Sequence, residues 1–442
     1  MRKGVFPYGF LTDERKFSET SLPPKSEFFN ELIGESISDD DYLHAQTVWN
    51  AFAMTNFGDY HDLYLKTDVV LLADVFEYFR TTCLISYRID PCHYISAPGV
   101  SWDAMLRMTR VEIELLTDPD MYCFIERGIR GGVSVISHRY AKANNPYLKD
   151  YDPNEKSTYI MGLDMNNLYG CSMSEPLPIR NFSWLSEEEI QSLNLSNLDD
   201  NAKQGYIYEC DLVYDPLIHD STSDYPLAPE KLTITHEMLS PYSKAVHEKV
   251  HCTEKPYIGT EKLIPNLWDK VNYVVHYRNL KFYVDQGMII QKIHRVLTFD
   301  QEPWLKQYID FNTLNRKNAK NEFERSFYKV LNNSIFGKSL ESIRKRQDIR
   351  LVNNEKRLKK LCSKPHVKTF KLLNPSLAAV HLSRVKVVLN RPIFVGFSVL
   401  DHSKLLMYSF HYMHMKKKYG TKLIGQRKNI GQDSLILTVS II

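Results

Sequence analysis

Apolar and polar positions alternate along this chain in a way that predicts helices at both ends of a strand-rich middle. In "SISDDDYLHAQTVWNAFAM" Ser38 can cap a helix, acids fill the first turn, and Tyr42, Ala45, Trp49 and Phe52 recur at helical spacing. Residues 59–87 predict a longer, half-buried helix, and 128–145 a glycine turn running into a short strand. "YIMGLD", 159–164, predicts a buried strand that ends in a carboxylate. Between 175 and 300, strand-like runs such as "QGYIYECDLVY" and "NYVVHYRNLKFYVDQGMIIQKIHRVLTF" are separated by Pro- and Asp-rich turns. Helix is predicted from Pro303 with few breakers until Gly337, then again to Gly420, with Leu405, Tyr408, Tyr412 and Met415 on one face. The last residues, "DSLILTVSII", predict a strand. The fold class is α+β with several subdomains.

Composition changes this picture little. A chain of 442 residues is long for one core, and 43% hydrophobic with 25% charged residues is ordinary for a globular protein. The 27 tyrosines suit base stacking or core filling. Net charge is only +3, yet 338–368 is strongly basic and "MKKKYG" at 415–420 adds a second cluster. Such a band suits a phosphate-tracking groove or a solvated helix face. Seven scattered cysteines without a CxxC pair argue against a disulfide framework or structural zinc and for a reducing compartment. No run approaches the ~18 apolar residues of a membrane span. The expectation is an intracellular protein with no membrane partner, its compartment (nucleus or cytoplasm) open.

Candidate chemistry begins at Asp164. A carboxylate fixed at a strand end suits an oxygen ligand for Mg²⁺, and also an ordinary turn cap. Tyr169 follows five residues later. In "FERSFYKVLNNSIFGK", Lys329, Asn333 and Phe336 fall at i, i+4 and i+7, with Arg325 one turn earlier and Arg316 and Lys320 again four apart. Cations, an amide and a ring on one stripe suit a triphosphate and a stacked base, or a surface helix with one ring tucked in. Tyr64 and Asp68 share a helix face and can orient a water or simply bond each other. Asp433 opens the last strand. Were it to meet Asp164, two carboxylates would form a two-metal site.

These stretches together resemble the family B DNA polymerases of the protein-primed branch, most closely those of Polinton (Maverick) transposable elements and adenovirus-like viruses. "DMNNLYG" is similar to motif A, "KVLNNSIFGK" to motif B, "YLKTD" to the third exonuclease motif, "IRGG" to the turn between exonuclease and polymerase regions, and "GQDSL" to the tail of motif C. The resemblance implies a polymerase right hand of palm and fingers with a partial ribonuclease H-like exonuclease region at the N-terminus. Its divisions would be 1–125 exonuclease-like, 126–175 linker turn and palm start, 176–300 insertion plus palm, 301–345 fingers, and 346–442 second insertion and palm with a degenerate motif C. It implies Asp164 and Asp433 as catalytic ligands of two Mg²⁺ ions, with Mn²⁺ able to substitute. Tyr169 would be the sugar-sensing gate. Lys329 and Asn333, with Arg316 and Lys320, would contact the triphosphate, and Phe336 would pack on the nascent base pair. Gly131, Gly132, Gly337 and Lys338 would meet DNA. The partners implied are primer–template DNA, dNTPs and a terminal priming protein.

Three departures qualify the resemblance. Gly431 stands where motif C carries its first aspartate, and "KLIGQRKNIG" is too polar for the strand expected before it, which suggests a sequence lesion near 424–432. Only the third exonuclease motif is present, with Tyr64 and Asp68 as its remnant, and the D-x-E at Asp300–Glu302 is coincidental. Proofreading is therefore not expected. The thumb is expected to be missing, with only 434–442 after Asp433. Phe336 replaces a tyrosine, and Gly170 a proline. Two readings follow: a DNA-directed DNA polymerase of a mobile element or virus, or an impaired transposon-derived remnant that only binds nucleic acid.

Overall fold

The computed structural model describes residues 4–135, 140, 142–163, 165–251, 257–419, 423–428 and 435–441. The chain divides into two compact units, Met1–Ile95 and Ser96–Ile442.

In the first unit, α1 (Asp39–Ala51) starts where the Ser38 hydroxyl accepts the Asp41 N–H. Asn56 and Asp59 close a capping box that starts α2 (Phe57–Tyr87). Phe28, Ala45, Phe57 and Tyr60 form the unit's core. Only Phe57, Tyr60, Cys83 and Tyr87 of α2 are buried, while Leu65, Val69, Leu72 and Ile85 are exposed. The expectation of a half-buried helix is corrected accordingly: its middle is more exposed than its apolarity predicts.

The second unit opens with α3 (Ala97–Thr109) and α4 (Pro119–Gly128), followed by β1 (Ser134–Val135), β2 (Tyr159–Leu163) and α5 (Leu168–Met173). The strand-rich middle holds β3 (Leu177–Trp184), α6 (Glu187–Ser192), β4 (Gln204–Val213), α7 (His219–Thr222), β5 (Glu230–Thr233), α8 (Pro241–His251), β6 (Glu261–Ile264), β7 (Lys270–His276), α9 (Tyr277–Asp285) and β8 (Ile289–Glu302). Strands in the order β3-β8-β4-β7 make a four-stranded antiparallel sheet, and β5 pairs with β6. The run read as continuous strand from 272 is interrupted by α9, because Tyr277, Leu280 and Tyr283 are spaced to bury one helical stripe.

Beyond this come α10 (Lys306–Lys317) and α11 (Glu322–Ser339), then β9 (Asp348–Val352), α12 (Glu355–Cys362), β10 (Val367–Asn374), β11 (Leu377–Leu382) and α13 (Ile393–Ser409). The predicted long helix is thus two, because the Asn321 side chain accepts the Glu324 N–H and starts a new one. The stop expected at Gly337 is not one, since α11 runs through it to Ser339. A π-helical stretch, Phe410–Met415, carries α13 into α14 (Lys416–Tyr419). Gly420 lies outside the described residues.

The tyrosines fill the core here. Tyr208, Tyr214, Tyr225, Tyr273, Tyr283, Tyr408 and Tyr412 pack together around α9, α13 and the β4–β7 face. Their hydroxyls reach backbone carbonyls: Tyr408 to Pro226 at 2.9 Å, Tyr273 to Pro229 at 3.0 Å and Tyr412 to Tyr225 at 2.5 Å. The basic band is mostly solvated. In α12 the cations of Lys356, Arg357, Lys359 and Lys360 are exposed, and Leu358 and Leu361 pack against Val352, Val380 and Leu382 of the β9–β11 sheet.

The last two strands, β12 (Leu423–Lys428) and β13 (Leu435–Ile441), pair antiparallel, Lys428 opposite Leu435. The polar segment before the degenerate motif therefore does form a strand. Backbone pairing on both sides of β12 overrides its side-chain composition.

Candidate active site

Two regions far apart in sequence, 134–163 and 423–441, meet in one sheet, in the order β1-β12-β13-β2. Ser134 of β1 pairs with Arg427, Gln426 with Leu437, and Leu437 with Leu163. The strand leading out of the glycine turn, the hairpin around the degenerate motif and the strand before Asp164 are therefore side by side. Because β2 and β13 are antiparallel, the end of β2 that precedes Asp164 and the start of β13 that follows Asp433 lie at the same end of the pair. Asp164, Asp433 and Gly431 themselves lie outside the described residues. Among the described residues strand β2 is the sheet's edge, and Tyr159 and Ile160 at its start are 40% and 44% exposed, so the burial expected there is corrected at these two positions.

The chain turns at Asn167, which is left-handed with φ 58°, and enters α5. A Cβ on buried Gly170 would stand 2.1 Å from the Asn167 side-chain nitrogen, so this position accepts glycine because Asn167 occupies the space. That asparagine gave no signal in the sequence beyond its tolerance of the left-handed region. Tyr169, half-buried, stacks on Phe336 with ring centroids 4.4 Å apart and planes 14° from parallel.

Phe336 belongs to α11, where Lys329, Asn333 and Phe336 are all half-buried on one stripe as expected. Arg325 bonds Glu322 on the same helix, 3.1 Å away. Arg316 sits in the last turn of α10, whereas exposed Lys320 follows that helix in the link to α11; the expected i, i+4 helical pairing of these two is not formed. Two contacts fix α10 and α11. Asn312 donates to Asn332 at 2.8 Å inside the pair, and the buried Ser101 hydroxyl of α3 donates to the Leu331 carbonyl at 2.6 Å and meets Tyr308 at 3.1 Å.

Lys338 pairs with Glu341 at 3.2 Å. Burial pushes the Glu341 carboxyl up, but bonds from Arg346, Arg391 and Lys338 outweigh it and hold the group at about 2. Gly131 and Gly337 each have nothing within 4 Å of where a Cβ would stand, so the protein's own packing requires glycine at neither; Gly132 beside the first is half-buried.

In the first unit, Tyr64 bonds the Tyr8 hydroxyl at 2.9 Å and also Asp68, and burial pushes its phenol up strongly. Tyr64 and Asp68 line a cavity of about 160 Å³ with His44, Tyr60 and Thr67. Asp300 on β8 accepts from Asn181 at 2.6 Å. Among the described residues no group of three or more His, Cys, Asp or Glu side chains is arranged to hold a metal ion, and no helix is long and apolar enough to cross a membrane.

The family model described as "DNA polymerase type B, organellar and viral" matches residues 1–374. The chain belongs to this family. The matched part of this type B polymerase includes Asp164, Tyr169 and the α11 stripe, while Asp433 follows it. No curated protein matches the chain. Among solved structures it is similar to Phi29 DNA polymerase in an orthorhombic crystal form, 12% identical with a TM-score of 0.49 over 97% of this chain and 58% of that one. Phi29 DNA polymerase complexed with primer–template DNA and incoming nucleotide is also similar, 12% identical with a TM-score of 0.41 over 79% of this chain and 49% of that one. The chain thus spans about half to three-fifths of the length of these polymerases.

Proposed function

We propose that this member of the type B polymerases is a polymerase core that transfers a deoxynucleotide from a dNTP to a primer 3′-hydroxyl on template DNA. The observation that carries the reading is the β1-β12-β13-β2 order, which makes the strand ending before Asp164 the neighbour of the strand beginning after Asp433. Carboxylates are the oxygen ligands Mg²⁺ takes, so the donor set fits; Asp164 and Asp433 would hold the ions, two Mg²⁺ or Mn²⁺, which would supply charge neutralisation at the transferring phosphoryl group.

The chain's own residues supply the rest. Lys329 and Asn333, joined by Arg316 and Lys320, would bind the triphosphate. Phe336 would meet the nascent base pair, and the Tyr169 ring stacked on it would lie under the sugar and exclude a 2′-hydroxyl. Gly131, Gly132 and Gly337 would let DNA approach bare backbone, with Lys338 beside it. On this reading 96–125 supports the fingers, 176–300 and 346–382 are insertions, and 1–95 is an exonuclease-like remnant without proofreading. A protein-primed element, a terminal priming protein, closeness to Polinton and adenovirus-like polymerases and an intracellular, reducing location complete the proposal.

Primer extension with Mg²⁺ and dNTPs tests it, using the chain as given, Gly431→Asp and Asp164→Ala. Extension by either of the first two, abolished by adding Asp164→Ala, is expected. Silence from all three with retained DNA binding would overturn the reading in favour of a nucleic-acid-binding remnant.

A further inference from the structure

Residues of α5, α9 and α13 line a cavity of about 450 Å³ within the second unit. None of Tyr169, Lys329, Asn333 and Phe336 is on its wall, so it is distinct from the proposed nucleotide contacts. Apolar surface comes from Met165, Phe282, Leu405 and Leu406. Cys171 on the same wall is exposed, so the cavity is open to solutes. A space of this size takes a small organic ligand.

The polar groups of this cavity are unfinished. His402 is 4% exposed, and neither ring nitrogen completes a hydrogen bond among the described residues; the Ser172 backbone favours its charged form without closing one. Burial outweighs that influence and keeps the ring neutral, with one nitrogen able to donate and the other to accept. Asp200 Oδ1 is likewise buried with no partner. Buried polar atoms of folded proteins almost always have one, so these atoms point to an occupant.

The charges say of which kind. Arg278 is committed to Glu175 at 3.1 Å and to Asp200 at 3.4 Å, and Lys281 donates to the Leu198 carbonyl at 3.0 Å. Against these two cations the wall sets three carboxylates, Glu175, Asp200 and Asp285, leaving one negative charge in excess. A phosphate or carboxylate would meet repulsion there, and a cation attraction.

We propose that this cavity binds a small organic cation, an ammonium group on an apolar body, with the ammonium held by Asp200 and Asp285 and the body against Phe282, Leu405 and Leu406. Its occupant would bear on α5, the helix that carries Tyr169. The test follows alkylation of Cys171 by iodoacetamide in the full chain, read by mass spectrometry of the peptide that contains it. The probes are 2-phenylethylamine, its charge-reversed counterpart 3-phenylpropionate and the neutral 2-phenylethanol. The amine should slow labelling of Cys171 with a dissociation constant in the millimolar range while leaving exposed Cys92 and Cys123 unaffected, and the other two should protect far less. Asp200→Asn or Asp285→Asn should weaken that protection about tenfold, and Asp310→Asn, which is not on the wall, should leave it unchanged. Circular dichroism checks that each variant is folded, and exposed Asp285 keeps the test available should Asp200→Asn disturb the Arg278 pairing. Protection by 3-phenylpropionate equal to that by the amine, or none by the amine, would overturn the cation site, the latter leaving a cavity that holds water alone. Labelling does not depend on primer extension, so failure of nucleotidyl transfer and failure of this site are separate results.

Discussion

Tyr169 and Phe336, 167 positions apart, stack with centroids 4.4 Å apart and planes 14° from parallel, so the short helix after Asp164 and the cation-bearing helix α11 share one aromatic contact. The pair couples two parts of the candidate site: whatever moves α11 also moves the ring that would sense the sugar. Substituting Tyr169→Ala should leave the fold intact but open that space. In an extending form of the chain, discrimination against ribonucleotides should fall at least about tenfold, equal to about 1.4 kcal/mol. Competition between dNTP and rNTP measures it; unchanged discrimination would refute the gate.

Gly337 offers a split between stability and binding. A solvent-facing glycine inside a helix costs about 1 kcal/mol relative to alanine, and nothing lies within 4 Å of a Cβ there. Gly337→Ala should therefore raise the unfolding midpoint while weakening affinity for primer–template DNA. A rise in both would remove Gly337 from the DNA-facing surface.

Gly170→Ala should do the opposite. Its methyl would collide with the Asn167 side chain, 2.1 Å away, so we expect a loss of roughly 1–3 kcal/mol. Adding Asn167→Gly clears the space and suits the positive φ, so the double variant should recover part of the loss. A double-mutant cycle in denaturant checks this; strict additivity would show the two positions do not interact.

Ser101→Ala removes a buried hydroxyl that serves the Leu331 carbonyl and faces Tyr308. The cost should be about 1–3 kcal/mol in chemical denaturation, with Tyr308→Phe milder because the serine keeps its carbonyl partner. Equal costs for the two would mean the hydroxyl pair, rather than the carbonyl bond, holds α3 to α11.

Acid sensitivity should come from His276 and His402, whose rings meet edge-on with centroids 4.7 Å apart. Burial holds both below the usual histidine range, His402 at about 3, with each also disfavoured by Arg278 nearby. Their folded values lie below the unfolded value near 6.5, so the unfolded chain binds protons first. Stability is therefore full above about pH 6.5 and declines as pH falls toward 3, by at most about 1.4 kcal/mol per unit for each ring. Thermal unfolding between pH 7 and 5 should show the slope, and His402→Asn should flatten it.

Local signals carried much of this architecture. Ser38 with three following acids marked the start of α1, and the aromatic and β-branched run Tyr206–Tyr208 marked β4, because caps and strand composition act locally. Strand-like composition concealed α9, whose apolar residues are held helical by packing against α13 and the sheet. Asn321 looked like one more polar residue in a long helix but starts α11. The nearness of Tyr169 to Phe336, and of β2 to β13, follows from tertiary pairing that no spacing in the chain encodes.

The sheet that gathers these motifs also dictates an order of assembly. Strand β13 lies between β12 and β2, so during synthesis β2 leaves the ribosome about 270 residues before its neighbour among the described strands exists. A nascent chain halted after Lys428 would hold β2 with no strand to complete it, and Asp164 would follow an unpaired strand. Any competence this centre has waits until β13 has been translated, because a product halted before Leu435 lacks the strand that pairs with β2.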